Sequence, residues 1–264
     1  MKGFWDYLDD RVKGQEKNIP WFLNDKLKAQ DFFVKNNWPA PQIIEIFDTP
    51  EMVELGRLPD EFCIKPTVMH SAAGVLPLVK VSSGQYFDRL RKRIISERGV
   101  ISELQLTYDS CKFKGSYKVM VEQPLSHDVN PFLIPSDFKL YSFKNEVGLV
   151  VKIDRNTDRN LISFYDGEFN PLDPGAVVVA NFESAAYLSK SKTPAKSLEM
   201  LRVANEVVAA LDVPFVSVDM FSTPEGCFMG EITPAPGAPY YKKMIHLNRQ
   251  WDRFLARLIH EGAD

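Results

Sequence analysis

The run FVSVDMFSTPEGCFMGEITPAPG, residues 215–237, restricts the fold of this chain more than any other stretch. Two apolar, β-branched segments flank the turn cluster Thr-Pro-Glu-Gly, so the run reads as two antiparallel strands joined by a short loop. With the loop centred near Glu225, Asp219 and Glu231 stand directly opposite each other, and strand alternation puts both on one face. Like charges opposed across two strands cost up to ~1 kcal/mol. Three arrangements would make that tolerable: an exposed, solvated pair, a divalent cation held by both acids, or a glycosidase-like acid and base. Mg²⁺ takes few carboxylates and strict octahedral oxygen donors, usually beside phosphates, which suits two acids on a rigid hairpin. The glycosidase reading ranks last, because opposed strand residues stand too close for an inverting pair and no sugar-stacking aromatics adjoin them.

With 264 residues, 45% of them hydrophobic and 25% charged, the chain can bury a large core as one domain or two lobes. A net charge of -3 and a pI near 5.9 give no general reason to expect nucleic acid or an anionic membrane as partner. The densest basic run is RLRKR, Arg89 to Arg93. Its companions Phe87, Leu90, Ile94 and Ile95 follow helical spacing, which reads as a solvated helix face or a contact for a phosphate-bearing or acidic partner. Cys63, Cys111 and Cys227 are far apart and lack metal-type spacing, as reduced thiols in a cytoplasmic protein would be. No apolar run approaches the ~18 residues of a membrane span.

Along the chain, residues 1–24 read as a short extension, followed by an N-terminal lobe over 25–124 and a C-terminal lobe over 125–264. Helices are expected over Asp25–Asn36, Tyr86–Arg98, Pro194–Leu211 and Leu247–His260, with a short one opening at Thr49-Pro50. Strands are expected at Gln42–Phe47, EFCIKP, VLPLVKV, YKVMVEQ, DFKLYSF and EVGLVVKIDR, with a strand or turn around Tyr108 and a hairpin turn at Lys144-Asn145. Helices and strands mix without regular alternation, so the fold class is α+β with antiparallel sheets. Lys65 ends EFCIKP just before TVMHSAAG, whose small residues allow a backbone to approach a ligand and present N–H groups to phosphate oxygens. The chain has no GxxxxGK[ST] loop, and a lysine ending a strand is by itself commonly a surface residue.

Taken in order, DKLKAQDFF, FCIKPTVMHSAAG, VMVEQPL, DFKLYSF, VDMF and GEITPAPG resemble the ATP-grasp superfamily, in particular its teichuronopeptide-biosynthesis, TupA-like branch. The resemblance spans about Asn24 to Tyr240 and implies two lobes with antiparallel sheets around a nucleotide cleft. It implies that Lys26 and Lys65 reach ATP phosphates, under a flap running from His70 through Ser71 to Gly74. It implies further that Glu122, Gln123 and Leu125 read the adenine edge and that Asp137 holds the ribose. Asp219 and Glu231 then hold Mg²⁺, with Thr233 where many members carry a third ligand. Arg155, with Lys152 and Arg159 behind it, is expected to stabilise transferred charge.

Two departures stand out. Ser217 occupies the place where many such ligases carry an arginine, and only about two dozen residues precede the DK motif where a further domain is usual. The second departure implies that a large acceptor, a second copy or a partner chain completes the acceptor site. The implied reaction is ADP-forming ligation of a carboxylate to an amine through an acyl-phosphate, in polysaccharide or natural-product modification. The alternatives are phosphorylation of a sugar or glycan hydroxyl, and nucleotide binding with little turnover.

Overall fold

A computed structural model describes residues 2–70, 72–127, 130, 132–180, 186–236 and 245–262. Helix α1 (Phe4–Val12) opens the chain. Two compact units follow: Asn24–Pro135 is one, and Met1–Leu23 with Ser136–Asp264 is the other.

In the first of these, helix α2 (Lys26–Lys35) starts at Asp25, whose carboxylate accepts from the N–H groups of Leu27 and Lys28. The six strands are β1 (Ile43–Phe47), β2 (Glu61–Pro66), β3 (Leu76–Ser82), β4 (Gln85–Asp88), β5 (Arg93–Ser96) and β6 (Val119–Glu122). They form one antiparallel sheet in the order β1-β6-β2-β3-β4-β5. One face buries Phe62, Ile64, Leu76, Leu78, Val119 and Val121 with Val100 and Leu104 of helix α3 (Glu97–Ser110). Alternation sends Cys63, Lys65, Met120 and Glu122 to the other face.

The basic run departs from its expected helix. Buried Asp88 accepts from the N–H groups of Leu90 (3.0 Å) and Arg91 (3.1 Å), and Lys92 takes a φ of +52°, so the run turns a hairpin between β4 and β5. The helix starts only at Glu97, where Ser96 Oγ accepts from Gly99 N–H at 3.2 Å. Tyr108, expected in a strand or turn, therefore lies in α3.

The other unit is built on β7 (Asp137–Phe143), β8 (Val147–Asp154), β9 (Asn160–Asp166) and β10 (Pro171–Leu172). After them come α4 (Pro174–Val177), β11 (Val178–Ala180), β12 (Ala186–Leu188), α5 (Ser197–Leu211), β13 (Phe215–Thr223), β14 (Gly226–Thr233), β15 (Ile245–Leu247) and α6 (Arg249–Glu261). The main sheet runs β10-β9-β8-β7-β13-β14, with β12 parallel to β9, while β11 and β15 pair separately. Helix α5 covers one face with Met200, Val203, Ala204, Val207 and Val208. On the other face, α1 and α6 pack Phe4, Trp5, Leu8, Leu255 and Ile259 against Tyr141, Phe143, Leu149 and Phe215. The leading residues are thus no appendage: the Phe4 ring lies 5.0 Å from that of Phe215 and 5.7 Å from that of Tyr141.

The carboxylate hairpin forms as expected, with one refinement. Its turn is the two-residue Pro224-Glu225, closed by the pair Thr223↔Gly226, so the ladder first runs one residue short of opposing the two acids. A β-bulge at Gly230 absorbs the difference, and Asp219 then pairs with Glu231. Among the described residues, no helix is long and apolar enough to cross a membrane.

Phe4→Ala is expected to cost about 3–5 kcal/mol, read by urea denaturation, because the ring is fully buried in the core. Gly230→Ala is expected to cost about 1–3 kcal/mol, since its Cβ would fall 2.8 Å from Cε2 of Phe221.

Candidate functional site

Along β7 the residues on one face run Phe143, Tyr141, Lys139, Asp137, and along β13 they run Phe215, Ser217, Asp219. The aromatic half belongs to the core beneath α1, and the polar half holds Lys139, Asp137 and Asp219. Register places Lys139 beside Asp219 on one side, with Glu231 on the other. Lys139 Nζ contacts Asp219 Oδ2 and lies 3.1 Å from Asp137 Oδ2. Arg155 Nη2 also reaches Asp137 Oδ2, at 3.1 Å, and Ser217 Oγ donates to Asp219 Oδ1 at 2.8 Å.

Asp219 is buried, and its pKa is raised to about 6. Burial is the main cause, opposed by Lys139 and reinforced by the charges of Asp137 and Glu231. Three carboxylates against Lys139 and Arg155 leave negative charge in excess when all are ionised, so a further cation would be stabilised there. Two carboxylates and the hydroxyl of Thr233, which pairs with Ser217 on the ladder, form the hard oxygen set that suits Mg²⁺. Among the described residues no group of three or more His, Cys, Asp or Glu side chains is arranged to hold a metal, so such an ion would complete its shell with phosphate oxygens and water.

The Asn24–Pro135 unit carries the lysines. Lys65 Nζ lies 2.7 Å from Glu122 Oε2 on the sheet face away from α3, with Glu122 buried and Lys65 partly exposed. Cys63, opposite Glu122 on the ladder, has its thiol pushed up to about 12 by burial and stays neutral beside the pair. Lys26, at the first turn of α2, donates through Nζ to the Met69 carbonyl, and its N–H bonds the Thr67 carbonyl at 2.8 Å. Thr67 is in turn tied to Ser116 and Lys118. The expected flap is a pair of tight turns, Ala73 N–H to His70 O and Val75 N–H to Ala72 O, with φ of +58° at Ala72 and +70° at Gly74. Ser71 lies outside the described residues. Gln123 extends the ladder, its N–H bonding Gln42 O at 2.9 Å and its Oε1 accepting from Gln42 N–H at 3.1 Å. Leu125 follows where the chain has left the sheet.

Some expected residues lie elsewhere. Lys152 pairs with Phe138 and so stands on the α5 face, away from Asp219; it bonds Ser191 Oγ at 2.9 Å and lies over the Phe138 ring. Arg159 stacks on Tyr187. Glu122 is engaged by Lys65 through Oε2, a contact that leaves the other carboxylate oxygen outside the pair. Lys139 was missed as a site residue, although DFKLYSF puts it two residues from Asp137, on the same face.

Because Asp219 has a raised folded pKa, its protonated form stabilises the fold at low pH. In chelator-containing buffer, that contribution is expected to be lost as pH rises from 3.8 through about 6. Asp219→Asn keeps an acceptor for Ser217 and should remove that segment of the pH profile, of order 1–3 kcal/mol, in urea denaturation across the range.

Residues 7–260 match the model of a family described as TupA-like ATPgrasp. None of the curated proteins matches the chain in sequence. Among solved structures, D-alanine–D-alanine ligase from Bacillus anthracis matches with a TM-score of 0.53 and 14% identity, over 91% of this chain and 67% of that one. Its complex with ATP gives 0.50 and 14%, over 91% and 64%. The Helicobacter pylori ligase gives 0.49 and 13%, over 89% and 60%. The chain thus spans about three-fifths to two-thirds of the length of these ligases, and the likeness to the Bacillus anthracis enzyme is one of fold. Both units have the antiparallel sheets of an ATP-grasp fold, and with the family model covering nearly all of its length the chain belongs to the TupA-like ATP-grasp family.

Proposed function

We propose that the protein is an ATP- and Mg²⁺-dependent ligase that joins a carboxylate to an amine or related nucleophile through an acyl-phosphate. The observation that carries this reading is the in-register pairing of Asp219 with Glu231 beside Lys139 and Arg155, in a chain of this family. Asp219, Glu231 and Thr233 would hold Mg²⁺, which when bound neutralises and orients the polyphosphate. Lys65, held by Glu122, and Lys26 would meet phosphate oxygens, and the turns from His70 to Gly74 would present N–H groups to them. Glu122 and the backbone at Gln123 and Leu125 would read the adenine edge, and Asp137 would hold the ribose.

In the reaction a carboxylate oxygen of the substrate bonds to the γ-phosphorus as the bond to the β–γ bridging oxygen breaks, and ADP leaves. An amine then bonds to the acyl carbon, phosphate departs with the bonding electron pair, and the nitrogen gives up a proton. Arg155, which already reaches the carboxylate cluster, would stabilise charge on the transferred group; Lys152, on the far face, is a weaker candidate. The acceptor would be a small molecule or glycan in polysaccharide or natural-product modification. Free thiols at Cys63, Cys111 and Cys227 and the use of ATP fit a cytoplasmic setting.

Ser217 favours a second reading. Its hydroxyl is committed to Asp219 where ligases commonly carry an arginine for the acyl intermediate, and phosphorylation of a hydroxyl would need no such group.

Calorimetric titration of a non-hydrolysable ATP analogue with Mg²⁺ is expected to show binding to wild type and about tenfold or greater weakening in Lys65→Ala and Asp219→Asn, equivalent to ~1.4 kcal/mol or more. Absence of Mg²⁺-dependent binding to wild type would overturn the nucleotide reading. With ATP, candidate carboxylates and hydroxylamine, the ligase reading expects ADP, phosphate and a hydroxamate. Transfer of the labelled γ-phosphoryl to a stable sugar phosphate would establish the kinase instead.

A further inference from the structure

Arg11 is almost completely buried, although it lies in a helix of residues preceding the matched motifs. Its guanidinium is used from three sides. Nε and Nη2 donate to Glu16 Oε2 and Oε1 at 2.7 and 2.8 Å, a bidentate pair. Nη1 donates to two backbone carbonyls, Phe215 O at 2.8 Å and Pro234 O at 2.6 Å. The cation also lies 5.6 Å from the centroid of the Phe215 ring.

Those two carbonyls flank the open end of the carboxylate hairpin. The last ladder pair is Ser217↔Thr233; Phe215 begins β13, and Pro234 follows the end of β14. Arg11 therefore acts as a substitute rung where the backbone ladder stops, just as Pro224-Glu225 closes the opposite end. Pro234 O belongs to the residue next to Thr233, and Glu231 sits two positions further in. The strand spacing that places Glu231 and Thr233 against Asp219 is thus held by a donor on α1 as well as by the ladder.

We propose that Arg11, with its charge balanced by Glu16, is a positioning residue for the cation-binding carboxylates. The proposal rests on the reading of Asp219 and Glu231 as Mg²⁺ ligands. Arg11→Lys keeps the charge but loses the forked donation to two carbonyls and the bidentate pair. Glu16→Gln leaves Arg11 in place with a weakened partner and tests the same link with less risk to folding.

The test is calorimetric titration of the non-hydrolysable ATP analogue over a range of Mg²⁺ concentrations, with thermal unfolding of each variant. Leu258→Ala, a core truncation on α6, serves as a destabilised control outside α1 and the carboxylate hairpin. Arg11→Lys is expected to raise the half-saturating Mg²⁺ concentration about tenfold, and Glu16→Gln by a smaller factor, while Mg²⁺-free nucleotide binding and the control stay near wild type. Unchanged Mg²⁺ dependence in both variants with a lowered melting temperature would leave Arg11 a purely structural residue and overturn the proposal. Loss of Mg²⁺ dependence in the control to the same degree would overturn it as well. A wild type without any Mg²⁺ dependence would overturn the ligand reading itself, and this proposal with it.

Discussion

The face of a strand on which a side chain emerges is set by register alone, and in the β13–β14 hairpin one extra residue decides it. Without the bulge at Gly230, a two-residue turn would place Gly230 opposite Asp219 and send Glu231 to the face covered by α5. A carboxylate there would face the apolar side of α5, which carries Met200, Val203 and Val207. The bulge gathers the acids on the face that also carries Lys139 and Arg155, and the electrostatics of the cluster follow from that choice. Gly230 suits the position because a β-carbon would press on the Phe221 ring.

Both sheets hold charges in pairs that compensate one another, Lys65 with Glu122, and Lys139 with Asp137 and Asp219. In the Asn24–Pro135 unit these lie on the face away from α3, whereas in the other unit they occupy the polar half of the face whose aromatic half is packed by α1 and α6. Such pairs add little net stability, because removing ions from water offsets their attraction. Their value lies in holding long lysine chains in fixed directions. A phosphate or metal arriving at such a site meets groups that are already oriented and already partly dehydrated.

Much of this was legible in the sequence. EFCIKP and DFKLYSF form strands with the expected bounds, and the expected opposition of Asp219 and Glu231 is observed, although the register that produces it depends on a bulge at Gly230 that periodicity does not encode. The misreadings share a cause. RLRKR has helical spacing, but spacing does not weigh the competing hydrogen bonds that buried Asp88 offers to the N–H groups of Leu90 and Arg91. Lys152 and Arg155 look alike as basic residues of KIDRNTDRN; Lys152 lies in β8 and pairs with Phe138, whereas Arg155 follows the strand's end and reaches Asp137. The role of residues 1–23 depends on contacts with strands more than a hundred positions away, which local periodicity does not encode.

That last feature bears on how the chain assembles. The Asn24–Pro135 unit is continuous in sequence and is inserted into a discontinuous one. It can reach its sheet as soon as its own residues are available, whereas α1 must wait for β13 and α6, its partners in the core, to be made. During that interval Phe4, Trp5 and Leu8 are an unburied apolar stripe tethered to a finished neighbour. Closing so long a loop is entropically costly, but a preformed inserted unit shortens the effective chain that must be searched. Early folding of the insert thus becomes a kinetic aid to its host, and the order of synthesis is matched to the order in which the two cores can close.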